Sequence, residues 1–216
     1  MTTHLEMELS QLTSKVFKMA DLAMEFINNS VESLKNSDSA LARRVVEGDS
    51  VMDRLEVEID DDCIKILVTK QPAAVHLRMV LAYLKINTDL ERIGDLCTSI
   101  AKETLRLDGK PALKPLIDIP RMAATGISML KKCFRAFTEK NSSLAKEVLV
   151  MDKQIDELNI QIYRELFTYM AESPNSISEA LGLIMVSKAL ERIGDHSKNI
   201  AERIVYYIDG VNISHE

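Results

Sequence analysis

Near the start of the chain, apolar side chains recur at Leu5, Leu9, Leu12, Val16, Met19, Ala23, Ile27, Val31 and Leu34. Steps of three and four throughout predict an amphipathic α-helix long enough to serve in a bundle. Asn36-Ser37-Asp38-Ser39 supplies N-cap residues that close this element and open another. The second stripe runs through Leu41, Val45, Met52, Leu55, Ile59, Cys63 and Ile66 and stops near Gln71-Pro72. Proline suits the first turn of a helix, so a third helix is predicted from Pro72 to about Leu107. At 1.5 Å per residue it would be roughly 50 Å long.

The segment DGKPALKPLIDIP (108–120) holds three of the five prolines and is the clear break in the pattern. After it the plan repeats, with a helix from about Pro120 to Glu139, a cap in Asn141-Ser142-Ser143, and a last helix opened by Ser173-Pro174. LARRVVEGD (41–49) aligns with LAKEVLVMD (144–152) at an offset of 103. LERIGDLCTSIA (90–101) aligns with LERIGDHSKNIA (190–201) at an offset of 100, sharing eight of twelve positions. These repeats predict a duplicated three-helix unit. The expected fold class is all-α, a tandem pair of antiparallel three-helix bundles built from six long helices. The expected boundaries are 1–108 for the first bundle, 109–119 for a linker and 120–216 for the second bundle.

Composition supports helices: Gly and Pro are few and Trp is absent, while Leu, Ala, Glu, Lys and Met are plentiful. No apolar run approaches a membrane span, and MTTHLEMELS lacks the basic head and apolar stretch of a signal peptide. A cytoplasmic location is therefore expected. The net charge of −6, with its basic residues scattered, argues against nucleic-acid binding. Cys63, Cys97 and Cys133 are odd in number and far apart, which supports neither a disulfide framework nor a zinc knuckle. His4 and His215 sit at the termini, and neither His76 nor His196 has a His or Cys partner at ligand spacing.

The duplication also repeats acids. Glu91 with Asp95 and Glu191 with Asp195 are spaced i, i+4, as are Asp49 with Asp53 and Asp152 with Asp156. Like charges at this spacing weaken a helix slightly, so local stability does not call for them. Counting 100° per residue places the Glu–Asp pairs roughly 160–170° from the apolar stripe of their helix, and the Asp pairs about 100° away. The expected location is outside the core, on faces that two adjacent helices present together. Two unit charges about 6 Å apart repel by roughly 3 kcal/mol at an effective dielectric near 20. A cation relieves that repulsion, and an all-oxygen shell suits Mg²⁺, Mn²⁺, Ca²⁺ or iron, with Zn²⁺ more often recruiting His or Cys. The plainer alternative is a solvated acidic face in which Arg92 and Arg192 form salt bridges between helices. Gly94 and Gly194 interrupt their helices, which suggests close approach by another helix or a ligand.

The segments LARRVVEGDSVMDRLEVEIDDDCIKIL (41–67), KQP (70–72), LERIGD (90–95), IYRELFTYM (162–170) and LERIGDHSKNIAERIVYY (190–207) resemble the PhoU family, the phosphate-specific transport system accessory proteins. The likeness spans about residues 5–208. It implies metal binding through (E/D)-x-x-x-D elements, with Asp49, Asp53, Glu91, Asp95, Asp152, Asp156, Glu191 and Asp195 as ligands and iron, Mn, Mg or Zn as the ion. It further implies a non-enzymatic negative regulator of phosphate uptake and phosphate-starvation signalling. Such a protein would act as an adaptor between the cytoplasmic subunits of the phosphate ABC transporter and a sensor histidine kinase, reaching the membrane only through protein partners. The resemblance also implies a homodimer. Two other readings stand beside this one: a metal-dependent enzyme that uses the carboxylate clusters, and a metal-free helical adaptor.

Overall fold

The structure, a computed structural model, describes residues 4–213, so His215 and the first three residues lie outside it. Six helices follow in order: α1 (His4–Lys35), α2 (Ser39–Lys70), α3 (Ala74–Arg106), α4 (Asp118–Glu139), α5 (Ser142–Glu172) and α6 (Ile177–Asp209). Among the described residues there is no β-strand. The helix ends follow the local chemistry. Asp38 caps α2 by accepting from the Leu41 amide at 2.9 Å, and the Asn141 side chain accepts from the amides of Ser143 and Leu144 at the start of α5. Each such cap is worth about 1 kcal/mol. Gly210 ends α6 at a φ of 73°, a conformation that costs glycine no Cβ clash.

Three boundaries differ slightly from the periodic reading. The third helix begins at Ala74 rather than Pro72, because Gln71 caps α2 in the left-handed region and the chain must turn before it can coil again. The fourth begins at Asp118, with Pro120 in its first turn, where a missing N–H is harmless. Ser173-Pro174 opens a short 3₁₀ turn, Pro174–Ser176, and α6 follows it.

Each half packs its three helices against one another, and the halves meet through α3 on α6 and α1 on α4. The buried apolar residues form one continuous core that draws on all six helices, including Leu12, Met52, Ile86, Met122, Ile155 and Ile193. Aromatic rings close the seam between the halves. Phe17 meets Phe134 edge-on at 5.1 Å, while Phe137 lies 5.3 Å from Tyr83 and stacks on Tyr207 at 4.9 Å. Fully buried Tyr83 keeps its hydroxyl satisfied by Thr13 at 2.8 Å. The three cysteines are free and buried, and burial raises every thiol, Cys63 to about 12, so they act as small core residues.

Two polar positions related by the duplication fix the pairing of the hairpins. Asn87 on α3 donates to the Asp60 carboxylate at 2.8 Å and to the Glu56 carbonyl at 2.9 Å, both on α2. Ser187, its counterpart on α6, donates to Asn159 on α5 at 2.6 Å. A buried polar group left without its partner is costly, so each bond favours one register over its neighbours.

Candidate functional site

The repeated glycines set how closely the helices of each hairpin approach. A Cβ added at Gly94 would lie 3.3 Å from the Cγ and Cε atoms of Met52 on α2. At Gly194 it would lie 3.0 Å from the Asp152 carboxylate and 3.1 Å from Ile155 on α5. The close neighbour anticipated for these glycines is thus the preceding helix of the same hairpin. That approach sets acids of the two helices of each hairpin side by side.

In the first half, Asp49 of α2 acts electrostatically with Asp95 of α3, and Glu56 of α2 with Glu91 and Asp95. Burial raises the Asp49 carboxyl above its ordinary range, and the charges of Asp53 and Asp95 add to the effect. Glu91 is pushed up to about 7, first by burial and then by Asp95 and Glu56, with Arg92 opposing. In the second half, burial raises Asp152, and Asp156 and Asp195 add to it against Lys198. Burial likewise raises Asp195, with Glu191 and Asp156 contributing. These effects couple acids of α2 with acids of α3 and acids of α5 with acids of α6.

Their setting corrects the expectation of outward-facing acids for part of the set: Asp53, Asp156 and Asp195 are exposed and the Asp95 side chain is 46% exposed, but others are covered. Asp152 is buried, and the side chains of Glu91 and Glu191 are each only 16% exposed. The helical angle measured from one apolar stripe misleads here because α3 and α6 are packed by neighbours on more than one side. Part of a face remote from that stripe is still covered.

Basic side chains of the chain itself lie among these acids. Arg92 pairs with Glu91 at 3.3 Å and Asp95 at 3.0 Å, Lys188 with Glu191 at 2.7 Å, and Lys198 with Asp152 at 3.4 Å. Among the described residues, no three acid, histidine or cysteine side chains are drawn together closely enough to hold an ion. The donor chemistry nevertheless suits one. The second oxygens of Asp152 and Glu191, both in the second half, are buried without a hydrogen-bond partner. Orphaned carboxylate oxygens of this kind are costly unless a cation or water meets them.

Sequence reasoning missed Glu56, whose carboxyl is raised by burial and by Asp60 and Asp53 and which also faces Glu91. A search for acids repeated in both halves discards it, because Asn159 stands at the equivalent position. Its i, i+3 spacing from Asp53 was the available signal. His196 was also passed over. Its Nδ1 lies 2.8 Å from Asp89 across the α3–α6 seam, and Asn199 donates to the same carboxylate at 3.3 Å.

The PhoU domain model matches the chain twice, over residues 16–104 and 119–204. The phosphate-specific transport system accessory protein PhoU homolog of Pseudomonas putida is 36% identical over 96% of this chain and 82% of its own length. The crystal structure of PhoU from Pseudomonas aeruginosa superposes with a TM-score of 0.92 at 34% identity, covering 96% of this chain and all of that one. The phosphate transport system regulatory protein PhoU from Streptococcus pneumoniae gives 0.90 at 26% identity, over 98% of this chain and all of that one. With two copies of the domain, full-length relatives and the same fold in solved structures, this chain belongs to the PhoU family.

Proposed function

We propose that this protein is a cytoplasmic negative regulator of phosphate uptake and phosphate-starvation signalling. It acts as an adaptor between the cytoplasmic subunits of the phosphate ABC transporter and a sensor histidine kinase, without catalysing a reaction of its own. Family membership and the roles named for its relatives, accessory and regulatory proteins of phosphate transport, support this reading. No helix of the described residues is long and apolar enough to cross a membrane.

The adaptor carries metal ions, and the observation behind this part is the orphaned, buried oxygens of Asp152 and Glu191 in the second half, with the raised carboxyl of Glu91 in the first. Asp49, Asp53, Glu91 and Asp95 would hold an ion in the first half, and Asp152, Asp156, Glu191 and Asp195 in the second. Iron, Mn²⁺, Mg²⁺ and Zn²⁺ all accept carboxylate oxygen. A bound ion supplies positive charge that relieves carboxylate repulsion and offers open positions to a partner's donors. The protein's share is to hold the acids side by side on rigid helices, with Arg92, Lys188 and Lys198 as exchangeable counter-ions.

The test is capture from cytoplasmic membranes at high and low phosphate, with and without chelator, using the wild type and a Glu91→Gln/Asp95→Asn variant. Transporter subunits and a histidine kinase are expected on the wild type, with recovery reduced by chelator and by the variant at unchanged helicity. Recovery of neither partner overturns the adaptor role. Metal content unchanged in the variant, by elemental analysis, overturns the site.

A further inference from the structure

The helices stack in two layers. α2 packs on α3, α3 on α6 and α6 on α5, forming a layer four helices wide. α1 and α4 touch each other and lie together against one side of that layer. Among the described residues, no helix covers its other side. Each contact between the halves joins an element to its own duplicate, α3 to α6 and α1 to α4, which is the pattern of a twofold axis.

The open side carries large apolar residues at duplicated positions. At the offset of 103 that relates α2 to α5, Val57 matches Ile160 and Ile64 matches Phe167. At the offset of 100 that relates α3 to α6, Leu77 matches Ile177 and Leu81 matches Leu181. All of these side chains are 37–62% exposed. Three of the four pairs have changed identity and stayed apolar, so inheritance from the duplication does not by itself explain them. Other exposed apolar positions were not kept: Met185 has Lys85 as its duplicate, and Val150 has Glu47.

Within each half the residues adjoin. On α3, Asn87 and Gly94 face α2 and Asp89 faces α6, and Leu77 and Leu81 point between those directions, away from the core. Counting toward the turn from the bonds of Asn87 with Glu56 and Asp60 sets Ile64 beside Leu81. In the second half, the bond of Ser187 with Asn159 sets Phe167 level with the helical turn between Ile177 and Leu181. Contiguous exposed apolar groups mark contact surfaces.

We propose that this face docks a twofold-symmetric protein, one of its identical subunits on each half of the chain. This rests on the adaptor reading above and adds to it the surface and the stoichiometry. A homodimeric partner presents one contact twice, and the two halves offer it the same apolar positions. An ABC transporter carries its ATP-binding subunits as a pair and a histidine kinase works as a homodimer, so the partners of that reading have the symmetry. Engaging both halves at once makes the second contact intramolecular, and affinity then exceeds that of either half alone. Asp53 precedes Ile64, and Asp156 precedes Phe167, by eleven residues, about three turns, so these exposed acids share the face. They disfavour an anionic bilayer or a second copy of the same face as the occupant.

Mass photometry and titration of the full-length protein against the detergent-solubilised phosphate ABC transporter and the full-length kinase test this. One chain per pair of identical subunits is expected on at least one of them. Ile64→Gln/Leu81→Gln in the first half and Phe167→Gln/Leu181→Gln in the second each weaken that complex at least tenfold, and the combined variant loses it. Because these side chains are exposed, circular dichroism and melting should match the wild type. Two chains per pair, loss confined to one half, or indifference to all the variants overturns the inference and leaves the adaptor role. Self-association of the chain, or binding to protein-free phosphatidylglycerol vesicles, that the combined variant abolishes assigns the face to that occupant and also overturns it. Binding of the wild type to neither partner removes the adaptor reading and this inference together.

Discussion

The imidazole Nδ1 of His196 lies 2.8 Å from the Asp89 carboxylate, tying α6 of the second half to α3 of the first. Both side chains are mostly covered, at 18% and 14% exposure, and Asn199 completes the cluster. Replacing His196 with Ala is expected to cost about 1–2 kcal/mol in urea denaturation, the usual loss for a hydrogen bond to a partly buried charge. Because an asparagine amide oxygen at position 89 can still accept from His196 and Asn199, Asp89→Asn is expected to cost less than removal of the ring. Equal stability of the wild type and His196→Ala would show that the tie carries no load.

Glu91 predicts a pH dependence. Its carboxyl sits near 7 in the folded chain against an ordinary 4.5, because burial and the neighbouring acids disfavour its charge. The unfolded chain therefore gives up this proton more readily, and the folded state is penalised as pH rises from 4.5 through 7. Below 4.5 Glu91 is neutral in both states and the penalty vanishes. Glu91→Gln should accordingly stabilise the metal-free protein at pH 8, on the order of 1–2 kcal/mol after allowance for solvent screening. At pH 4 the two proteins should denature alike. Denaturant midpoints at the two pH values check both statements.

The repeated glycines are expected to respond unequally to alanine. At Gly194 the new Cβ meets the buried Asp152 carboxylate at 3.0 Å and Ile155 at 3.1 Å, groups with little room to move. That strain outweighs the roughly 1 kcal/mol that alanine gains in helix propensity, for a net loss of about 1 kcal/mol. At Gly94 the obstacle is the flexible Met52 side chain at 3.3 Å, and stability should stay within about 0.5 kcal/mol of wild type. Thermal melts of the two variants make the comparison.

Phe137 packs against Tyr207 of its own half and against Tyr83 of the other. Phe137→Ala is expected to cost about 3–5 kcal/mol. Since one core runs through all six helices, the wild type should unfold in a single cooperative transition by calorimetry. Two well-separated transitions in the wild type would mean that the halves fold independently.

The helices were legible because their apolar steps of three and four are long and uninterrupted, and Asp38 and Asn141 cap where the patterns restart. The acid pairs were legible because duplication printed them twice. Glu56 was not, since that same filter rejects a residue whose counterpart is Asn159. The burial of Asp152 and Glu191 escaped because an angle on one helix says nothing about which neighbours flank it. His196 with Asp89, and Lys198 with Asp152, escaped for a related reason: both are contacts between helices, set by packing rather than by spacing along one strand of chain.

The seam between α3 and α6 bears on ancestry. His196 has Leu96 as its duplicate, and Asp89 has Ala189, so the contact exists in one sense only. A half-length forebear pairing with its twin would have made every such contact twice, by symmetry. Joining the twins in one polypeptide removed that obligation. Each copy then became free to specialise while the other kept it folded.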